Sequence, residues 1–408
     1  MTFRQTHLHE GHIAKATLYP KTYKPTCQLL SYSVTQLLNF MNRRSFIKNS
    51  VGGIVALKLI PSVISCSEED FYSSGDFENA PKTDAHFHYN VSDNTVLKYA
   101  ASINMHILTV NVDGGGGFDD QFMFAKSLKK KYPDKIDFIG TFSVNGFGSD
   151  RFADEIIAQI EKCLKAGAKG IKIWKNIGMV LKDRTGRYVM ADDAAFAPVF
   201  SYLEKKRIPL VAHLGEPLNC WLPYEKMTME GDLNYYKSNP QYHMYQHPEA
   251  PSYQEQISAR DNLLNKYPKL KHTGAHIGSL EWNLDEVSNR FDRYKYFTVD
   301  LSARMGHVQL QTIENREKVR YFFIKYQDRI TYGSDTGLGN VYNLEQRCKA
   351  FYNTWRTHWL FLATDEMIPA EKFNMVNAPE KIAGLRLPKK VVDKIFSKNA
   401  KKIFNLRL

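Results

Sequence analysis

The chain has 408 residues, 43% hydrophobic and 13% aromatic, which is enough apolar material for one large core and excludes a disordered or fibrous polymer. Its formal charge of +12 is unevenly spread: residues 1–66 hold eight Lys/Arg against one Asp/Glu, and the rest of the chain holds 47 against 42. With no arginine-rich tract, and with Cys27, Cys66, Cys163, Cys220 and Cys348 scattered without a Cys-x-x-Cys pair, neither a nucleic-acid partner, a zinc ribbon nor a disulfide framework is expected.

Residues 1–40 read as a leader, either disordered or lying ahead of a true start at Met41. From Met41 the run Asn42-Arg43-Arg44-Ser45-Phe46-Ile47-Lys48, the apolar stretch from Val51 to Ile64 and then Ser65-Cys66-Ser67 resemble a twin-arginine export signal with a lipoprotein cleavage site over 41–66. The apolar stretch is short and contains Lys58, so a membrane-spanning helix is not expected. This reading puts the mature protein in the periplasm or on a membrane, held only by a lipid at Cys66. Residues 67–81, with Ser73-Ser74-Gly75-Asp76 and Pro81, read as a linker into a catalytic domain over 82–408.

The domain opens on Lys82-Thr83-Asp84-Ala85-His86-Phe87-His88. On a strand, side chains two residues apart share a face, so His86 and His88 can grip one metal ion. Seven further apolar or β-branched runs follow, at 105–112, 136–144, 170–174, 208–213, 271–276, 296–301 and 329–335. Between them lie segments with apolar residues at helical spacing, at 151–166, 195–206, 253–267, 284–294 and 315–326. Eight strands separated by helices predict a (β/α)₈ TIM barrel with catalytic groups at the carboxyl ends of the strands. An open doubly wound sheet is the alternative, but no Gly-rich phosphate loop marks its crevice.

Several of these strands carry a polar group at or near that end. The fifth closes on His213, the sixth on His276 and the eighth, Thr331-Tyr332-Gly333-Ser334-Asp335, on Asp335; the fourth places Lys172 among apolar neighbours. With these residues and the ending Asn399-Ala400-Lys401-Lys402-Ile403-Phe404, the chain from about Lys82 to Leu406 resembles the amidohydrolase superfamily. Within it, the likeness is to the amidohydrolase-related branch, which includes lactonases and zinc-dependent decarboxylases of aminocarboxymuconate semialdehyde and aromatic acids.

The resemblance implies His86, His88, His213 and Asp335 as metal ligands, with His276 either a ligand of a second ion or a group touching the reactive water. Zn²⁺ suits such a set, and an open position beside it would hold water with a pKa lowered from about 16 to near 7. Asp335 would then bind the metal and shuttle the proton, and His276 would polarise the scissile carbonyl. Asp84 is expected to anchor a ligand imidazole. One ion is expected, or two if Lys172 takes up CO₂ as a bridging carbamate; the other reading of Lys172 is a charged lysine facing a substrate carboxylate.

The long, aromatic insertion after the fifth strand reads as a lid or pocket wall, or else as a packing flap or subunit contact. Lys175, Asn176, Glu216, Tyr242, His247, Trp282 and Arg304 are the candidate substrate contacts, Arg304 being the natural partner of an anion. The function expected is a metal-dependent hydrolase acting on a C–O or C–N bond of a small polar lactone, ester or amide. The alternatives are a nonoxidative decarboxylase of an unsaturated or aromatic acid, and a surface lipoprotein that binds a ligand without turning it over.

Overall fold

The computed structural model describes residues 70–114, 117–339, 343–370 and 375–407. The leader, the twin-arginine segment and Cys66 lie outside the described residues. Residues 70–81, expected within a linker, are packed onto the domain. Phe77 is 1% exposed and its ring lies 5.7 Å from that of Trp359, while the Tyr72 hydroxyl donates to Asp393 at 2.6 Å. A buried aromatic ring and a few hydrogen bonds to the domain hold this polar run down.

The core of the domain is a closed parallel barrel. Its strands are β1 (Lys82–Tyr89), β2 (Met105–Val110), β3 (Ile136–Thr141), β4 (Ile171–Ile173), β5 (Leu210–Ala212), β6 (His272–Gly274), β7 (Phe297–Asp300) and β8 (Ile330–Thr331), each paired in parallel with the next. A two-residue ninth strand, β9 (Gly337–Leu338), pairs with β1 at His88 and Tyr89. Between β8 and β9 the chain still follows β1: the amide of Ala85 donates to Tyr332 O at 3.0 Å, that of Asp335 to His86 O at 2.8 Å and that of His88 to Thr336 O at 2.9 Å. The two short pieces are therefore one interrupted last strand, and the barrel has eight staves. Gly333 sits where this strand passes β1, and a Cβ there would lie 2.7 Å from the His86 Cβ.

Helices α1 (Thr95–Ser102), α2 (Gly117–Lys131), α3 (Phe152–Lys165), α4 (Ala197–Lys206), α6 (Tyr253–Lys266), α7 (Leu284–Arg293), α8 (Met305–Lys325) and α9 (Leu344–Ala363) cover the outside, whereas α5 (Glu230–Ser238), in the insertion after β5, lies at the chamber. In α3, Phe152, Ile156, Ile160 and Cys163 make the buried stripe that the spacing predicts. The helix expected over 315–326 is the second half of α8, which breaks at Asn315 (φ −155°). The short helices α10 (Lys389–Asp393) and α11 (Asn399–Phe404) close the amino-terminal end of the barrel. The Asn399 amide donates to the carbonyls of Gln327 and Ile330 at 2.7 Å each, and Phe404 and Leu406 pack with the barrel-lining Ala85, Leu108 and Val211.

His272 opens β6 with no exposed surface and no hydrogen-bond partner on either ring nitrogen, its ring 5.4 Å from that of Phe297. Burial, helped by the Arg260 charge, pushes its pKa down to about 3. The unfolded chain takes up a proton near pH 6.5 and the folded chain does not, so stability is present above that pH and is lost as pH falls. The His272→Leu variant should accordingly lose about 2 kcal/mol less than the wild type between pH 8 and pH 5, read from urea unfolding at each pH. Parallel pH profiles would contradict this.

Candidate metal centre

The carboxyl ends of the strands meet at a chamber of about 400 Å³ lined by His86, His88, Lys172, His213, His276 and Asp335 on one side and by Lys175, Glu216, Asp232, Tyr235, Tyr236 and Arg304 on the other. Its floor is set by two imidazoles whose protons are fixed by the fold. His86 Nδ1 faces Asp300 Oδ2 at 2.8 Å and His88 Nδ1 faces the Val110 carbonyl at 2.8 Å. Both partners can only accept, so each Nδ1 carries the hydrogen and each Nε2 presents a lone pair.

Those two lone pairs point at a third donor. Asp335 Oδ1 lies 3.1 Å from His88 Nε2 and 3.5 Å from His86 Nε2, and ligand atoms of the three residues all fall within 4.8 Å of one another. Two imidazole lone pairs and a carboxylate turned toward one another repel unless a cation sits among them. The spacing is that of ligand atoms about 2.0–2.2 Å from one ion. The donor set therefore fits a divalent cation, held by His86, His88 and Asp335. Asp335 reaches this position from the left-handed region (φ 61°), a conformation the hydrogen bond from its amide to His86 O supports.

The other two histidines form a pair of their own. His276 Nδ1 donates to the Ser302 carbonyl at 3.1 Å, which leaves its Nε2 to accept from His213 Nδ1 at 3.1 Å. His213 Nε2 is then a buried lone pair without a hydrogen-bond partner, 3.5 Å from Glu216. Burial pushes the His213 pKa down to about 4. Of the four ligands implied by resemblance, three converge and His213 is turned to His276; His276 reaches Asp335 Oδ2 only at 3.9 Å. Lys172 is 1% exposed with Nζ 3.3 Å from His86 Nε2, and burial lowers its pKa to about 8 against the pull of Asp300 and Asp335.

The group that sequence reasoning missed is Asp300 at the end of β7. Its Oδ2 accepts from His86, its Oδ1 accepts from the amides of His276 at 2.8 Å and Ser302 at 3.2 Å, and the Ser302 hydroxyl also donates to it. Burial alone would raise this carboxyl, but His86, His276 and Lys172 outweigh burial and hold it well below the usual range. Asp84 does not touch an imidazole ring. It accepts from the Ser334 amide at 2.9 Å and from Trp355 Nε1 at 2.8 Å, tying the last strand to β1 and α9.

The candidate substrate contacts divide in two. Lys175, Glu216 and Arg304 line the chamber. Asn176 instead donates to Asp113 at 2.8 Å, and with Tyr242 it lines a neighbouring cavity; His247 faces the Pro240 carbonyl at 3.0 Å, and Trp282, 42% exposed, donates to Tyr253 at 2.7 Å. Lys175 is paired with Glu216, and Arg304 lies 3.7 Å from Glu216 and 3.9 Å from Asp232. Burial lowers the pKa of Lys175, yet Glu216 and Tyr235 more than reverse this; burial likewise raises that of Glu216, and Lys175 outweighs it. Every charge on this wall has an opposite charge beside it.

The Amidohydrolase family model matches residues 138–406, two-thirds of the chain, from within β3 to beyond α11. The chain belongs to the amidohydrolase family. The match makes it an enzyme, and family members generally use a divalent metal, which agrees with the donor set above. The His86 and His88 pair lies upstream of the matched span. No curated protein matches this amidohydrolase in sequence. Solved structures that resemble it include 4-oxalomesaconate hydratase from Rhodopseudomonas palustris (12% identity, 79% of this chain and 95% of that one, TM-score 0.43). An amidohydrolase from Pseudomonas aeruginosa (10%, 82% and 99%, 0.40) and an ochratoxinase from A. niger (11%, 80% and 71%, 0.36) are others.

Asp300→Asn keeps the shape of the side chain but removes the carboxylate that orients His86. It should weaken divalent-metal affinity about 10–100-fold in a competition titration with a chromophoric chelator. Unchanged affinity would mean that Asp300 only supports the fold.

Proposed function

We propose that this amidohydrolase is a divalent-metal-dependent hydrolase that cleaves a C–O or C–N bond in a small polar lactone, ester or amide. The observation that carries the reading is the convergence of the His86 and His88 lone pairs on Asp335 at the floor of the chamber. A divalent cation bound there supplies Lewis acidity, polarising a substrate oxygen and making water acidic enough to ionise near neutral pH.

The chain's own residues supply the remainder. Asp335 Oδ2 faces the chamber and accepts a proton from water, then returns it to the leaving oxygen or nitrogen. His276, kept neutral by burial and by His213, gives its Nδ1 hydrogen to the Ser302 carbonyl and stands 3.9 Å from Asp335 Oδ2 as an uncharged wall of the chamber. Lys172 Nζ, 3.3 Å from the His86 Nε2 that would hold the ion, is placed to donate to a substrate oxygen beside it; a carbamate on Lys172 would bring a second ion. The charge-balanced wall of Lys175, Glu216, Arg304 and Asp232 suits a neutral polar substrate better than a free carboxylate, because Arg304 already has two protein carboxylates for partners. This favours hydrolysis over the decarboxylation of an aromatic acid. In the same reading residues 41–66 direct export and Cys66 carries a lipid.

The test is a panel of lactones, esters, amides and aromatic or unsaturated acids, with metal content measured on the same sample. Turnover of a neutral ester, lactone or amide should fall with chelation and return with Zn²⁺. Asp335→Asn should lower kcat roughly 10²–10⁴-fold. CO₂ release from an acid, with the neutral substrates untouched, would replace this reading with the lyase one. A metal-to-protein ratio of two would require the carbamate.

A further inference from the structure

A second cavity, of about 870 Å³, opens beside the chamber at the carboxyl ends of β2, β3 and β4. Trp174, which follows β4, lines both spaces. To either side of it the lining passes from one to the other: Val112 belongs to the chamber and Asp113 to the cavity, Tyr235 to the chamber and Tyr242 to the cavity. The two tyrosine rings are stacked with their centroids 6.3 Å apart. The partition is thus a single layer of side chains, and a substrate that reaches over Trp174 occupies both spaces.

The wall of the cavity is mixed. Trp174, Phe118 and Tyr242 supply aromatic faces, and Asp113, Ser143 and Asn145 supply hydrogen-bonding groups. Its charges cancel: Asp113 and Asp119 stand against Lys162 and Lys182, with Lys162 Nζ 2.9 Å from Asp119 Oδ1. That balance disfavours an ionic ligand. Asp113 separates a hydroxylated ring from a plain aromatic one. Its Oδ2 accepts from the Val144 amide at 3.0 Å and from Asn176 at 2.8 Å, whereas nothing among the described residues donates to Oδ1. An apolar ring laid over this half-buried carboxylate would strip water from an ion and return no hydrogen bond, while a hydroxyl donates to it. A pyranose combines C–H faces that pack on aromatic rings with a rim of hydroxyls, and so matches both parts of the wall.

We infer that this cavity is the second half of the substrate site and takes a neutral pyranose ring, so that the bond cleaved is an ester or amide joining a small acyl group to a sugar. The inference rests on the hydrolysis proposed above and narrows it, since a site with two lobes fits a substrate of two parts better than a single-ring lactone. The acyl group lies in the chamber and the sugar beyond Trp174. Water adds to the acyl carbon, the bond from that carbon to the sugar oxygen or nitrogen breaks, and the proton that Asp335 took from the water leaves on the sugar as part of its hydroxyl or amine.

The experiment measures binding to the full chain by ligand-observed NMR, with the methyl glycosides of glucose, galactose and mannose as sugar probes and benzyl alcohol as the aromatic one. Val180, 53% exposed on the cavity wall, becomes a plug in Val180→Trp, and Trp174→Ala removes a stacking face; circular dichroism checks that both fold. The wild type and Asp335→Asn should bind at least one glycoside more tightly than benzyl alcohol, and both cavity variants should bind it at least about 10-fold more weakly. In the wild type the acetyl ester of that sugar should exceed methyl acetate at least about 10-fold in kcat/KM, and in Val180→Trp this preference should be lost. Failure to bind any glycoside, tighter binding of benzyl alcohol, or equal glycoside binding by the wild type and Val180→Trp would overturn the inference. Glycoside binding that follows the expected pattern without turnover of any ester or amide would uphold the sugar site and overturn the hydrolysis.

Discussion

Asp300 is the carboxylate on which the mouth of the barrel depends. With 2% of its surface exposed it can stay ionised only among donors, and it gathers them from three places: the His86 ring of β1, the His276 amide after β6, and the amide and hydroxyl of Ser302. By accepting from Nδ1 it turns the Nε2 lone pair of His86 outward, toward Asp335. The Val110 carbonyl does the same for His88. The metal-binding disposition of both imidazoles is thus decided by groups that would never touch the ion.

The chamber and the opposite face handle charge in contrary ways. Around the chamber, acids and bases are buried and matched: Lys175 with Glu216, Arg304 with Glu216 and Asp232, His86 with Asp300. A buried ion left without its partner is strongly destabilising, so this wall resists being reshaped by any substrate that offers only charge. On the opposite face Lys205, Lys206, Arg207, Lys266, Lys269 and Lys295 are exposed and form no ion pair among the described residues, and water screens them at little cost. The same chain of alternating strands and helices separates the two, since it sends strand ends one way and helix ends the other.

The barrel was legible because its strands are apolar runs of the right length with helical periodicity between them. The His86-x-His88 pair was legible because strand alternation puts both rings on one side. Asp335 could be read as a strand-ending acid, though not that Gly333 and a positive φ interrupt the strand to deliver it. Asp300 could not be singled out: Thr298-Val299-Asp300 looks like any strand end, and its partner His86 is 214 residues away. The insertion announced itself by its aromatic residues, but composition does not say which way a ring points. Tyr235, Tyr236 and Asp232 face the chamber, whereas Tyr242 and His247 do not. The helix α9 was missed although Phe351, Trp355 and Trp359 recur every four residues, a signal that would have found it.

The account stands on one cation held by residues far apart in the chain. Anomalous diffraction from crystals of the zinc-loaded protein, collected on both sides of the zinc edge, tests it directly. The expected result is a peak about 2.0–2.2 Å from His86 Nε2, His88 Nε2 and an Asp335 oxygen. A fully loaded protein whose zinc lies elsewhere, with these three side chains unligated, would contradict it.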